Sequence, residues 1–159
     1  MATRSGIGVD FHRLEEGVDL TLGGVLVDSD KGSVGHSDGD ALIHSIADAL
    51  LGASNLGDLG KFFPSNDNKY KGAESRVFLD HILKIISPSY DIVNIDSTII
   101  LQAPQIGDLV YKMQSNIAQI LSLDPFQVSV KATTTDYLGF IGSGDGVGAL
   151  AIVQLKEKQ

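Results

Sequence analysis

Three of the chain's four histidines fall in two short stretches, Gly8-Val9-Asp10-Phe11-His12 and Gly35-His36-Ser37-Asp38-Gly39-Asp40-Ala41-Leu42-Ile43-His44. In the first, Ile7, Val9 and Phe11 alternate with Gly8, Asp10 and His12, the period of a strand that buries one face and presents the other. Asp10 and His12 then point the same way. In the second, Asp40, His44 and Asp48 recur every fourth residue among Leu42, Ile43, Ile46, Ala47, Leu50 and Leu51, which makes one polar stripe on an apolar helix. Together the two elements can hold a divalent metal between Asp10, His12 and His44. Two imidazoles and a carboxylate suit zinc, and three protein ligands leave the fourth tetrahedral position open for water or substrate. Asp48, one turn beyond His44, is placed to accept from that imidazole's other N–H. Two ordinary histidines at a core edge, with surface aspartates nearby, fit the same spacing.

A second constellation is Lys131-Ala132-Thr133-Thr134-Thr135-Asp136, where a β-rich run enters a glycine-rich loop. Hydroxyls and backbone N–H groups at a strand end can hold phosphate oxygens, and an adjacent carboxylate can hold a Mg²⁺ that bridges two phosphates. A threonine run is also simply good strand sequence. Gly142-Ser143-Gly144-Asp145-Gly146 superficially matches a dinucleotide fingerprint, but an apolar alternating run follows where that fingerprint requires a helix.

The elements that must position these groups are legible in outline. A strand over Ile7–His12 leads into two short β runs around Gly23-Gly24 within Val18–Val27. Asp28 to Asp38 reads as a polar loop whose last residues, Ser37 or Asp38, cap a helix running to about Leu51. Gly52–Lys61 is a turn-rich connection and Phe62–Lys69 an aromatic-to-polar loop. Glu74–Ile86 returns to helical spacing and stops at Pro88. His81, in that helix, has no partner at ligand spacing and reads as a packing or surface residue. Ile92–Leu101 is a strand, Ile106–Leu121 a helix, Val128–Thr135 a strand, Asp136–Gly146 a loop and Val147–Lys156 a final strand. The order β, β, α, α, β, α, β, β predicts an α+β or mixed α/β sandwich, with helices on one face of a mixed sheet.

Composition narrows the partners. At 159 residues and 43% hydrophobic content, the chain is long enough for one core and too short for two, so residues 1–159 read as a single domain. The net charge of -8 excludes the Lys/Arg clusters on which phosphate-backbone binding depends, so no nucleic-acid partner is expected. Without cysteine there is neither a disulfide nor a thiolate zinc site. Met1-Ala2-Thr3-Arg4-Ser5 lacks a signal-peptide apolar core and no run reaches membrane-spanning length, so a soluble cytoplasmic protein without a membrane partner is expected.

Five ordered blocks carry a resemblance. Gly8-Val9-Asp10-Phe11-His12-Arg13, His36-Ser37-Asp38-Gly39-Asp40 with His44, Leu56-Gly57-Asp58-Leu59-Gly60-Lys61-Phe62-Phe63-Pro64, Gln102-Ala103-Pro104 and Lys131-Ala132-Thr133-Thr134-Thr135 closely resemble the 2-C-methyl-D-erythritol 2,4-cyclodiphosphate synthase family, nearly end to end. The resemblance implies a lyase of the non-mevalonate isoprenoid pathway. Its substrate is 4-diphosphocytidyl-2-C-methyl-D-erythritol 2-phosphate; the 2-phosphate attacks the β-phosphorus, closing the cyclic diphosphate and releasing CMP. Such chemistry asks the protein for positioning and charge neutralisation rather than for a side-chain nucleophile.

The resemblance also implies residue roles. Asp10, His12 and His44 would hold one Zn²⁺ per subunit, His36 and Thr134 would stabilise transition-state charge, and Ser37 would bind beside His36. Asp136 stands where the family has a glutamate for the second metal, Mg²⁺ or Mn²⁺, and is one methylene shorter. Asp58 and Gly60 match the erythritol segment, and Phe63 to Asp67 the loop that follows, where Ser65 and Asn66 depart from the usual residues. Leu101, Ala103, Pro104 and Ile106, within the Leu101 to Gly107 segment, match the cytidine pocket together with Ala132 and Thr133. The implied assembly is a homotrimer with active sites at subunit interfaces. Phe140 matches an aromatic residue of the central trimer cavity, while Ser143 replaces the arginine expected there, so tight binding of an isoprenoid diphosphate is not expected. A structural or storage metal protein and a non-catalytic nucleotide sensor are the readings from other classes.

Overall fold

The computed structural model describes residues 2–159. β1 (Thr3–Glu16) and β7 (Gly146–Glu157) pair antiparallel from Thr3↔Lys156 to Arg13↔Gly146 and form the centre of the sheet. β5 (Tyr90–Ile100) pairs antiparallel with β7, and β6 (Val128–Thr133) pairs parallel with β5. A parallel pair needs a crossover, which α4 (Val110–Ile120) supplies. β4 (Lys31–Val34) closes the other edge, giving the order β4-β1-β7-β5-β6. β2 (Leu20–Leu22) and β3 (Val25–Val27) form a separate hairpin whose turn is Gly23-Gly24, both at positive φ.

α1 (Ala41–Ala53) lies across β1 and β7 and buries 11 of its 13 residues, because sheet, hairpin and α3 (Arg76–Ile86) enclose it. Its approach is set by two glycines of β1. A Cβ at Gly8 would stand 1.9 Å from Ser45 O, and one at Gly6 2.0 Å from Ala49 O. The helix backbone therefore rests directly on the strand, and His44 comes down beside Asp10 and His12. Two single-turn helices, α2 (Leu59–Phe62) and α5 (Gly139–Gly142), complete the set.

The α+β class with a mixed sheet agrees with the sequence, while the burial of β1 is the reverse of the expectation. Ile7, Val9 and Phe11 are 62%, 46% and 50% exposed, whereas Gly8 is buried and Asp10 and His12 are half-buried under α1. The helix needs close approach, which the glycine face permits and the apolar face does not. Ile7 and Val9 share the uncovered face with their partners Ile152 and Leu150 on β7, and Phe11 packs edge-on to Phe140 at 5.9 Å.

Further expectations change, and α2 and α5 lie within segments read as turn and loop. Residues 28–38 are not all loop, since β4 lies within them. The cap of α1 is Asp40, not Ser37 or Asp38. Among the described residues, no helix is long and apolar enough to cross a membrane.

Candidate metal centre and two cavities

Asp10 Oδ2 lies 2.8 Å from His12 Nε2 and 3.0 Å from His44 Nδ1, and the two ring nitrogens are 3.2 Å apart. The outer nitrogens show what these three atoms present to one another. His12 Nδ1 is 3.0 Å from the Val34 carbonyl, which can only accept, so Nδ1 carries the proton and Nε2 a lone pair. His44 Nε2 sits 2.9 Å from Ser75 Oγ, whose own proton goes to Asp38 Oδ1. With Nε2 donating to that hydroxyl, His44 Nδ1 can offer its lone pair to a cation; without one, Asp10 Oδ2 at 3.0 Å can accept an Nδ1–H instead. In the first form three acceptors converge on one point, an arrangement that a cation relieves.

Tetrahedral zinc, with bonds of about 2.0–2.1 Å, spaces its donors by about 3.3 Å, so the site fits with an opening of a few tenths of an ångström. Without a cation the three groups share protons across the same contacts. Burial works to raise the Asp10 carboxyl, but the His12 and His44 rings outweigh it and hold the group at about 2. Burial likewise opposes a charged His12, and Asp10 more than offsets it, shifting that imidazole upward.

The polar stripe of α1 divides into unlike parts. Asp40 is fully buried and accepts from the backbone N–H groups of Gly23, Gly24 and Ile43 at 2.9, 2.7 and 3.0 Å, so it locks the hairpin turn onto the helix N-terminus. Asp48 is not the partner of His44. Its Oδ1 accepts from Leu59 N at 2.7 Å and anchors α2 instead. The place expected for it is taken by Ser75 and by Ser37, whose Oγ is 3.1 Å from His44 Nε2. Ser75 stood inside the helix expected from Glu74; its signal was a serine at the start of an amphipathic run, a cap position.

The metal centre opens on a cavity of about 200 Å³ whose walls include His12, His36, Ser37, His44, Phe63 and Tyr70. His36 Nε2 is 2.9 Å from the Asp67 carbonyl. Asp67 and Asp58 cap their own short helical turns, accepting from Lys69 N and Lys61 N, and Gly60 lies in the turn that Asp58 caps. His81 is exposed and lies against Phe63, with ring centres 5.3 Å apart.

A separate cavity of about 250 Å³ is lined by Leu101, Pro104, Ile106, Ala132, Thr133 and Thr134 among others. The two cavities share no lining residue. Ala103 lies beside the second, facing a wider cleft with Pro104. Asp136 and Tyr137 follow at φ +50° and +64°, and the Tyr137 N–H donates to Gln102 Oε1 at 2.9 Å. Asp136 N donates to Thr134 Oγ1 at 3.2 Å. Phe140 lies on the uncovered sheet face, and Ser143 Oγ donates to Asp145 at 2.5 Å.

Fold and site together define an α+β domain in which three side chains that could hold a metal ion converge at the mouth of a small cavity. The YgbB family pattern matches residues 3–156. The 2-C-methyl-D-erythritol 2,4-cyclodiphosphate synthase of Laribacter hongkongensis is 48% identical over 159 residues, covering 99% of this chain and 98% of its own. The bifunctional IspDF of Campylobacter jejuni superposes with a TM-score of 0.95 at 42% identity; the match covers 99% of this chain and 43% of that one. IspF of Plasmodium falciparum, solved as a CDP complex, superposes with a TM-score of 0.87 at 36% identity, covering 99% and 98%. The chain belongs to the YgbB family.

Proposed function

We propose that this chain is an enzyme converting 4-diphosphocytidyl-2-C-methyl-D-erythritol 2-phosphate into the 2,4-cyclodiphosphate and CMP, a lyase step of isoprenoid biosynthesis in the cytoplasm, carried by a single domain over 1–159. The observation that carries the reading is the convergence of Asp10, His12 and His44 at the mouth of a cavity, in a chain whose relatives bear the synthase's name. An oxygen of the substrate's 2-phosphate attacks the β-phosphorus, and the bond from that phosphorus to the α-phosphate oxygen breaks. CMP leaves with that oxygen. Asp10, His12 and His44 would hold one Zn²⁺ per subunit, which would supply Lewis-acid polarisation of the β-phosphate, and Asp136 would hold a Mg²⁺ or Mn²⁺ that would neutralise diphosphate charge.

The protein's own groups position and neutralise. His36 and Ser37 sit on the cavity wall beside His44, where the Ser37 hydroxyl can meet phosphate oxygens and His36, whose Nε2–H goes to the Asp67 carbonyl, would meet them through Nδ1 once that nitrogen is protonated. Asp58, Gly60, Phe63 and Asp67 would hold the erythritol. Thr134 is the counterpart of His36 from the second cavity, whose Leu101, Ala103, Pro104, Ile106, Ala132 and Thr133 would receive cytidine. A Plasmodium relative solved with CDP supports that class of ligand.

The two cavities share no lining residue within one chain, and β1 and β7 leave Ile7, Val9, Phe11 and Ile152 exposed, with Phe140 of α5 beside them. Both facts support a homotrimer in which the uncovered faces pack together and each site joins the metal side of one subunit to the cytidine side of the next. The test is incubation of the purified protein with the diphosphocytidyl substrate, following CMP. CMP release that stops with a chelator and returns with Zn²⁺ is expected; undiminished turnover after rigorous metal removal would refute the reading.

A further inference from the structure

Ser75 occupies the N-cap of α3 yet makes no side-chain cap bond, and it is completely buried. A serine at that position ordinarily spends its hydroxyl on the helix's free N–H groups. Here Val77 N and Phe78 N donate to the Glu74 and Ser75 carbonyls at 3.0 Å instead, while Asp38 from the preceding segment accepts from Ser75 N at 2.8 Å and from Asp40 N at 3.1 Å. The segments are stitched together by Asp38 N donating to Ala73 O at 3.1 Å and Gly72 N donating to His36 O at 2.8 Å. Ser75 Oγ is thereby freed, donates to Asp38 Oδ1, and faces His44 Nε2 at 2.9 Å.

The direction of this chain of bonds has a chemical consequence. Ser37 Oγ, 3.1 Å from Nε2, could donate to it, and in the metal-free chain Asp10 Oδ2, 3.0 Å from Nδ1, could accept from that side; both would draw the proton to Nδ1, the nitrogen that faces Asp10 and His12. Ser75 cannot do so, because its only proton is held by a carboxylate that has none to return. It can only accept.

We propose that Asp38 and Ser75 form a positioning dyad that fixes His44 as the Nε2–H tautomer, and so sets the affinity of the Asp10, His12 and His44 centre for its cation. The dyad rests on the cation reading given above, but its tautomer arm does not. In two-bond ¹H–¹⁵N correlation spectra of the metal-free full chain, His44 is expected as Nε2–H.

Ser75→Ala removes the acceptor and leaves Ser37 as the neighbour, so the Nδ1–H form should rise and zinc affinity, read by competition with a chromophoric chelator, should fall about 10- to 100-fold. Asp38→Asn, which can donate to Ser75 and turn its hydroxyl toward Nε2, should shift the tautomer the same way. A wild-type His44 in the Nδ1–H form would overturn the dyad even if neither variant folds. So would a folded Ser75→Ala chain with wild-type tautomer and zinc affinity. A wild-type chain that takes up no zinc would sink the cation reading instead, while the metal-free spectra still decide the dyad.

Discussion

Asp40 and Asp48 occupy equivalent turns on either side of His44, and neither does what its spacing suggests. The difference is made by partners far away in sequence: Gly23 and Gly24 for one, Leu59 for the other. Burial raises Asp40 to about 6 against three backbone N–H donors. Its ordinary value is 3.8, so the folded chain binds a proton in that window that the unfolded chain releases. The stability it contributes is fully present below about pH 3.8 and is lost as pH rises to about 6. Asp40→Asn should destabilise by about 1–3 kcal/mol, because one amide N–H must face a backbone N–H. In denaturant melts the gap between wild type and variant should narrow from pH 4 to pH 7; a gap that widens would show that Asp40 folds as a carboxylate throughout. Asp10, His12 and His44 were legible because two short periods, two in a strand and four in a helix, each mark a face. Ser75 was not, since only the folded chain brings Asp38 against the start of α3.

At the scale of elements, the glycines of β1 decide where His44 lies. Gly8→Ala places a methyl group against Ser45 O, so α1 must lift off the strand. The expected cost is about 1–3 kcal/mol or more of stability, with zinc affinity falling alongside because the helix carries His44. Gly52, in the same helix with nothing within 4 Å of an added Cβ, provides the opposite sign. Gly52→Ala should stabilise by up to about 1 kcal/mol and leave zinc binding unchanged. Equal destabilisation of both in thermal melts would contradict this packing. Hydrophobic alternation in Ile7–Phe11 located the strand correctly but assigned its faces in reverse, because alternation says which residues share a face and not what covers it. The short β4 has no signal in the sequence for a related reason: Lys31-Gly32-Ser33-Val34 has no alternation of its own and is held by pairing with Arg13–Glu16.

For the whole molecule, an apolar sheet face that only α5 touches at one end and two cavities that share no lining residue are both accounted for by the proposed symmetric assembly. It can be tested without a structure of that assembly. His44→Ala disables the metal side and Thr134→Ala the other cavity, and each alone should be inactive. Refolded together as a random mixture, about a quarter of the interface sites would join an intact half from each variant, restoring about that fraction of CMP release. No recovery on mixing would mean that each chain carries its site alone. Nothing in one sequence distinguishes a cavity completed by a neighbour from one completed by its own chain, so this level was open to resemblance but not to residue spacing.

The most direct measurement is anomalous scattering at the zinc edge from crystals grown with Zn²⁺. One peak per chain is expected, about 2.0–2.1 Å from Asp10 Oδ2, His12 Nε2 and His44 Nδ1 and lost in His44→Ala. A peak elsewhere, or none at these three atoms at full zinc occupancy of the crystal, would contradict the metal centre and the reaction built on it.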